Sequence, residues 1–471
     1  MFRLPPWIAV VTVWAAIYLP GLGSFEIKGE EGRRILPAMD MLESGNYLQP
    51  HVGSATYFTK PPLVNWLVAA SIRLSGIRSE WTVRLPSVLA VLTVAVAFIT
   101  VGRAALGRSG SLYAALVWLT TVGIIEKGRL IEIEAVYVSL CALAMICWLS
   151  WWLTGRSSWL TWIVPWIWLG LAWLAKGPVH LLFFYALVVA VLWQQKRLKA
   201  LLYPAHLLGI VIMVGIFAAW AIPFVRISGQ TRALTKWSGQ FTGRVTPHYF
   251  SVRSAGWTLI RAIGQLLPWV IFLPFLRLRR FENADERRLA KALLWSAGMP
   301  LLIVSLVPVS APRYSLPVAA PFCWLLAIAF ARDAFSFRLP WLASRQRKLW
   351  QWTVVLVAAS SLFAFPIMAA FAKKRDKVKT IAAQINSAIP ENETLYAVDP
   401  GYQPFLFYMR RPVKYVGAVK DIPGSADYFV TRPDREEAAM QAGQWAPRHA
   451  TVVSRLTDYR DARIILYRIG P

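Results

Sequence analysis

Apolar runs close to the ~20 residues that a helix needs to cross a bilayer recur along this chain from its N-terminus to about residue 371. They fall at residues 7–23, 82–102, 110–126, 135–153, 158–175, 178–194, 205–225, 257–276, 293–309, 314–331 and 350–371. The chain has 471 residues, 57% of them hydrophobic, with 24 Trp. Core volume limits how many apolar side chains a soluble domain can bury, and this pattern exceeds that limit. The expected fold is mainly α: a polytopic transmembrane helical bundle of about eleven spans.

The formal net charge is +27. Nucleic acid is one partner for such a balance, but the basic residues here sit between apolar runs. That placement fits anionic lipid headgroups, the positive-inside bias and phosphate-bearing substrates. Membrane lipids are therefore expected partners, and nucleic acid is not. With the N-terminus in the cytoplasm, the Lys- and Arg-rich connections 195–200, 277–291 and 332–348 all fall inside. Loops 23–80, 127–134, 176–178, 226–256 and 308–313 then face outward, as does the C-terminal segment. This describes a multi-pass membrane protein whose C-terminal segment is extracytoplasmic. Cys141, Cys147 and Cys323 all lie in spans and form neither a disulfide framework nor a zinc spacing. The first apolar run lacks a convincing small-x-small cleavage site and reads as a retained span.

In the first outer loop, residues 24–80, the periodicity predicts short amphipathic juxtamembrane helices over 30–42 and 63–74. Between them, 46–62 carries Gly, Pro and aromatic residues and reads as an ordered loop. Past residue 373 the composition changes. An amphipathic helix over 376–387 and strands at 394–398, 413–416, 428–431 and 462–467 predict a small soluble α/β domain. The expected division is a membrane domain over 1–372, including the outer loop, and an extracytoplasmic domain over 373–471.

Ionisable residues gather at span ends on the outer side. Gly29-Glu30-Glu31-Gly32-Arg33-Arg34 is followed by Met41-Leu42-Glu43-Ser44-Gly45, then by Tyr57-Phe58-Thr59-Lys60-Pro61-Pro62-Leu63 and Trp66. This order resembles the first periplasmic loop of GT-C glycosyltransferases. The nearest branch holds the lipid A aminoarabinose transferase and the protein O-mannosyltransferases. Residues 129–134 resemble the family's second outer loop, and Ala175-Lys176-Gly177-Pro178 its Lys-Gly-Pro segment. Leu266-Leu267-Pro268-Trp269 and Arg313-Tyr314-Ser315-Leu316-Pro317 resemble two later signatures. Each motif is modest alone; five in family order, across residues 7–331, carry the resemblance.

Such enzymes take a sugar from a polyprenyl-phosphate carrier and pass it to an acceptor hydroxyl. The chemistry needs a carboxylate to take the hydroxyl proton and cations to hold the leaving phosphate. By resemblance, Glu30 stands at the catalytic carboxylate, where the family usually has Asp, and Glu134 is a second acid. Lys60, with Tyr57 beside it, matches the lysine that contacts the donor phosphate, and Arg33 follows the acidic pair. Lys176, Arg244 and Arg313 are cations on the outer face against the positive-inside trend, which a phosphate ligand would explain. Tyr314 and His248 are further candidate contacts. Glu31 is the neighbouring candidate base, and a solvated surface charge fits it at least as well. Blander roles fit the other residues: helix-N-terminal acids for Glu30 and Glu134, and snorkelling interfacial cations for the lysines and arginines. Arg129 and Glu132 read as an i,i+3 pair. Thr59 replaces an acid that resembles a metal ligand in the aminoarabinose transferases, so no metal is assigned and a divalent metal stays open. His51, His180, His206 and His449 form no ligand spacing. The aromatic stretch 159–173 reads as an interfacial belt.

The leading reading is thus a GT-C glycosyltransferase using a polyprenyl-phosphate-linked sugar, with lipid A or another envelope glycan as acceptor and protein as alternative. A lipid or sugar transporter or flippase would instead put charges at mid-membrane on paired broken helices. A non-catalytic scaffold would have no use for the Tyr57–Trp66 motif.

Overall fold

The computed structural model describes residues 5–229, 235, 237, 239, 250–337, 345–373, 377–401, 403–443, 450–458 and 460–470. It divides into two compact units. The first comprises Met1–Leu22, Phe58–Val64 and Arg84–Pro366; the second comprises Gly23–Tyr57, Asn65–Val83 and Ile367–Pro471.

Among the described residues, seven helices are long and apolar enough to cross a membrane. They are Glu80–Thr100, Ile133–Leu153, Ser158–Ala175, Pro204–Ser228, Ala284–Leu306, Pro312–Ala331 and Lys348–Lys373. Two bent pairs bring the number to nine if each is one span: Arg103–Leu119 with Val122–Gly128, turned by 59°, and Val252–Gly264 with Trp269–Phe275, turned by 99°. Pro6–Tyr18, Leu63–Ser75 and His180–Gln194 are shorter apolar helices. Each of the eleven apolar runs lies on one of these elements.

Within the first unit the Ile133–Leu153 helix is central, with 94% of its apolar window buried. Its sequence is apolar all round, as a helix with neighbours on every side requires. Ser158–Ala175 packs against both this helix and Pro204–Ser228. Close approach there depends on glycine: a Cβ on Gly209 would lie 2.1 Å from Trp166 Cδ1. Trp166 is fully buried among Phe184, Tyr185 and His206 and cannot retreat. Small residues let helices meet at such distances. Gly209→Ala is expected to destabilise the protein by about 1–3 kcal/mol through overpacking, read as a lowered Tm in detergent; an unchanged Tm would contradict this packing.

Arg129 and Glu132 do not form the expected pair. Residues 129–132 lie between helices, so the i,i+3 geometry of a helix surface is absent. The Arg129 guanidinium instead donates to Ile17 O at 2.6 Å and Pro20 O at 2.5 Å, and covers the Phe365 ring at 3.6 Å. It thereby satisfies carbonyls at the end of the Pro6–Tyr18 helix that have no helical partner. Glu132 is bound by Lys127 at 3.1 Å.

In the second unit, β1 (His51–Val52) and β2 (Ala55–Thr56) form a small hairpin. Five strands build the main sheet: β3 (Leu395–Val398), β4 (Val413–Val416), β5 (Tyr428–Thr431), β6 (Ala450–Thr457) and β7 (Arg463–Ile469). Their order is β4-β3-β5-β7-β6, with β3 parallel to β4 and β5, and β7 antiparallel to β5 and β6. Tyr396, Phe429, Ile465 and Tyr467 fill one hydrophobic cluster. In a second cluster Ile381 and Ile385, from the Val378–Ala388 helix, meet Leu395, Leu406, Leu466 and Leu36. Leu36 belongs to Gly32–Ser44, the first juxtamembrane helix, which is therefore part of this core. Glu26 reinforces the join. Its Oε2 accepts from the N–H groups of Val378 at 2.9 Å and Lys379 at 3.2 Å, capping that helix.

Candidate active site

A cavity of about 420 Å³ opens in the first unit. Its apolar lining includes Trp173, Leu182, Phe217, Ile303, Val304 and Val307. Lys60, Lys176, Tyr137 and Tyr314 also line it. Each polar group is held by local chain geometry. Pro61 disfavours helical backbone at Lys60, so the lysine stays in the loop ahead of the Leu63–Ser75 helix. Lys176 follows the last residue of Ser158–Ala175, where the chain must turn. Tyr314 lies in the 3₁₀ segment Pro312–Val318.

Glu134 pairs with two cations. It sits in the first turn of Ile133–Leu153, where the helix dipole favours an acid, and it is 6% exposed. Its Oε1 accepts from Lys176 Nζ and from Arg313 Nε, both at 3.2 Å. The Lys176 ammonium also stands 4.3 Å from the Tyr314 ring centroid and 5.1 Å from that of Tyr137. Two aromatic faces and one carboxylate thus stabilise a cation that burial alone would disfavour. Lys176 and Arg313 thus meet on the Glu134 carboxylate, and Lys60 lines the same cavity as Lys176. Beside them, Lys127 Nζ bridges Glu126 at 3.0 Å and Glu132 at 3.1 Å. Burial pushes the Glu132 carboxyl up, while Lys127 pulls it back toward its usual range.

Glu30, Arg33 and Tyr57 belong to the second unit. Gly29, at φ +63°, starts the 3₁₀ turn Gly29–Glu31, which runs directly into Gly32–Ser44. Only glycine takes that backbone without strain. Arg33 NH1 donates to Glu30 Oε2 at 3.1 Å, with both side chains about one-third exposed. Glu31, read from sequence as a surface charge or a second candidate base, is 2% exposed. Arg34 donates to the Tyr57 hydroxyl at 2.9 Å, and Asn65 Nδ2 donates to Arg34 O at 2.8 Å.

The first unit therefore brings Lys60, Lys176 and Tyr314 to the lining of one cavity and joins Lys176 to Arg313 through Glu134. Arg244 and His248 lie outside the described residues. Tyr137, Trp173 and Trp237 line the cavity without having been singled out. Tyr137 stands three residues beyond Glu134, on the same helix face, a spacing that could have pointed to it. Among the described residues, no group of three or more His, Cys, Asp or Glu is placed to hold a metal.

Residues 59–222 match the family model of the dolichyl-phosphate-mannose-protein mannosyltransferases. The chain is 29% identical over 296 residues to the undecaprenyl phosphate-alpha-4-amino-4-deoxy-L-arabinose arabinosyl transferase of Erwinia tasmaniensis, covering 61% of this chain and 52% of that one. A Pseudomonas fluorescens transferase with the same description is 26% identical over 333 residues, covering 68% and 58%. The chain thus spans about half the length of the curated relatives it matches. The crystal structure of ArnT from Cupriavidus metallidurans bound to undecaprenyl phosphate superposes with a TM-score of 0.72 at 19% identity, over 99% of this chain and 98% of that one. Its apo form gives 0.71. The chain has the fold of ArnT and is similar in sequence to the aminoarabinose transferases.

Proposed function

We propose that this chain is an integral membrane glycosyltransferase that moves a sugar from a polyprenyl-phosphate carrier to an envelope glycolipid such as lipid A. The single observation that carries the reading is the cavity: a mostly apolar hollow whose lining includes Lys60, Lys176 and Tyr314, with Lys176 and Arg313 both paired to Glu134. A polyprenyl phosphate has the same two-part chemistry, a long apolar tail and a dense anion. The names of the relatives support undecaprenyl phosphate as carrier and 4-amino-4-deoxy-L-arabinose as sugar.

In the proposed reaction the acceptor oxygen attacks the anomeric carbon as the bond from that carbon to the phosphate oxygen breaks. The electron pair leaves with the polyprenyl phosphate. Lys60, Lys176 and Arg313, with the Tyr314 hydroxyl, bind the phosphate and stabilise the charge it gains. Glu134 holds Lys176 and Arg313 in register for that task. Glu30, kept in place by Arg33, takes the hydroxyl proton; this role rests on its place in the acidic motif. Arg244 and His248 remain candidate donor contacts on sequence grounds. The positive-inside pattern supports an inner-membrane protein with its chemistry and its C-terminal domain on the extracytoplasmic side.

The test is transfer in proteoliposomes, using undecaprenyl phosphate-linked 4-amino-4-deoxy-L-arabinose and lipid A, with other polyprenyl-phosphate sugars as a panel. Transfer of one of these sugars to lipid A is the expected result. If the folded protein transfers none of them and does not bind undecaprenyl phosphate, the reading is wrong.

A further inference from the structure

A buried histidine directly follows the cavity-lining segment 176–179. His180 opens the His180–Gln194 helix and is 0% exposed. Its Nδ1 stands 2.9 Å from Gly177 O. A carbonyl only accepts, so Nδ1 carries the proton and the ring is held in that tautomer. Among the described residues Nε2 has no hydrogen-bond partner. A ring kept only for packing would bury no such nitrogen, because an unpaired polar atom costs free energy that a phenyl ring avoids.

The bond closes a loop with a defined purpose. Gly177, at φ +136°, lies between Lys176 and Pro178 in the turn that joins two helices. That backbone region is open to glycine and gives the turn no side chain with which to fix itself. The ring of His180 also meets Tyr137 edge-on, with centroids 6.2 Å apart. Tyr137 and Tyr314 in turn flank the Lys176 ammonium, whose partner is Glu134. Lysine is a point charge on a flexible four-carbon stem, so its placement depends on where its backbone is held.

We propose that His180 is a positioning residue: by donating from Nδ1 to Gly177 O it fixes the Lys176-Gly177 turn and so holds the Lys176 ammonium in the cavity's lining, beside Tyr137, Tyr314 and Glu134. This rests on the donor-phosphate reading above, in which Lys176 meets the phosphate.

The experiment uses the full chain in nanodiscs, with undecaprenyl phosphate as the binding probe. His180→Phe is expected to weaken binding about tenfold, the scale of a misplaced binding group. His180→Asn brings its Nδ2 to the place of Nδ1 and should return binding to within about threefold of the unmodified chain. His180→Gln reaches the Nε2 position instead and should stay as weak as the Phe variant. Combined with Lys176→Ala, the Phe substitution should add no further loss, because both act through one group. Binding unchanged in His180→Phe, equal behaviour of Asn and Gln, or losses that multiply in the double variant would each overturn the proposal. If the Phe variant does not fold, the contrast between Asn and Gln decides. An unmodified chain that fails to bind undecaprenyl phosphate removes the donor reading and this inference with it. One that binds, but is indifferent to His180, removes only the inference.

Discussion

Replacing Glu30 by Gln should cut turnover by about 10²–10⁴-fold, the usual contribution of a positioned proton acceptor, while folding and undecaprenyl phosphate binding stay close to those of the unmodified chain. The amide cannot take a proton from the attacking hydroxyl, yet its carbonyl still accepts from Arg33. The Glu30–Arg33 pair is one-third exposed on both sides, and ion pairs of that exposure are worth about 0.2–1 kcal/mol. The stability cost is therefore small, and a large loss of rate would report chemistry. Glu31→Gln should behave in the opposite way. Glu31 is 2% exposed, so its replacement should lower Tm and leave the transfer rate of the folded fraction largely intact. Glu30→Asp should stay within about tenfold of the unmodified rate, since it only withdraws the carboxylate by one methylene. Single-turnover transfer from a labelled donor, with Tm measured alongside, separates the three variants. A Glu30→Gln protein that transfers at full rate would eliminate Glu30 as the base.

What the sequence made legible was chiefly what repeats or what defies a trend. The apolar runs reproduce the helices because bilayer thickness sets their length and lipid forbids unpaired backbone groups. Lys176 and Arg313 stood out because cations on the outer face need a reason, and Lys60 because its motif resembles one in a known family. The first unit then joins Lys176 and Arg313 on a single carboxylate although 137 positions separate them in the chain. Pairings of that kind were not legible. Nothing in the spacing of Arg129 says that it caps the Pro6–Tyr18 helix, because the segment around it is not helical and its acceptors are carbonyls, which carry no sequence signature. Trp173 read as part of an interfacial belt but lines the cavity, since a tryptophan facing lipid and one facing a groove look alike in one dimension. Leu36 presented itself as one face of a surface helix and is buried in the core of the second unit. β6 escaped notice because it is an edge strand on which only Leu456 is fully buried, so no alternation marks it.

The two partners of the Glu134–Lys176 ion pair should respond to substitution with opposite sign. Lys176→Ala is expected to weaken undecaprenyl phosphate binding about tenfold or more, as loss of a charge-assisted contact to an anion does. Glu134→Gln should leave that binding equal or tighter, because it removes a carboxylate that competes with the phosphate for Lys176 and Arg313. Turnover should nonetheless fall by about 10²-fold in Glu134→Gln, since cations released from a fixed acceptor no longer sit where the leaving phosphate gains charge. A second consequence is structural. Glu134 is 6% exposed, and removing one partner of a buried pair costs about 3–5 kcal/mol. The Gln amide still accepts a hydrogen bond, so a smaller loss of about 1–3 kcal/mol is expected, with part of it recovered when undecaprenyl phosphate is added. Binding titrations and thermal melts with and without the lipid, on both variants, test every part of this. Weaker binding in Glu134→Gln by the same factor as in Lys176→Ala would mean that the carboxylate shapes the phosphate pocket directly. Its role as a counter-charge that holds two cations ready would then be untenable.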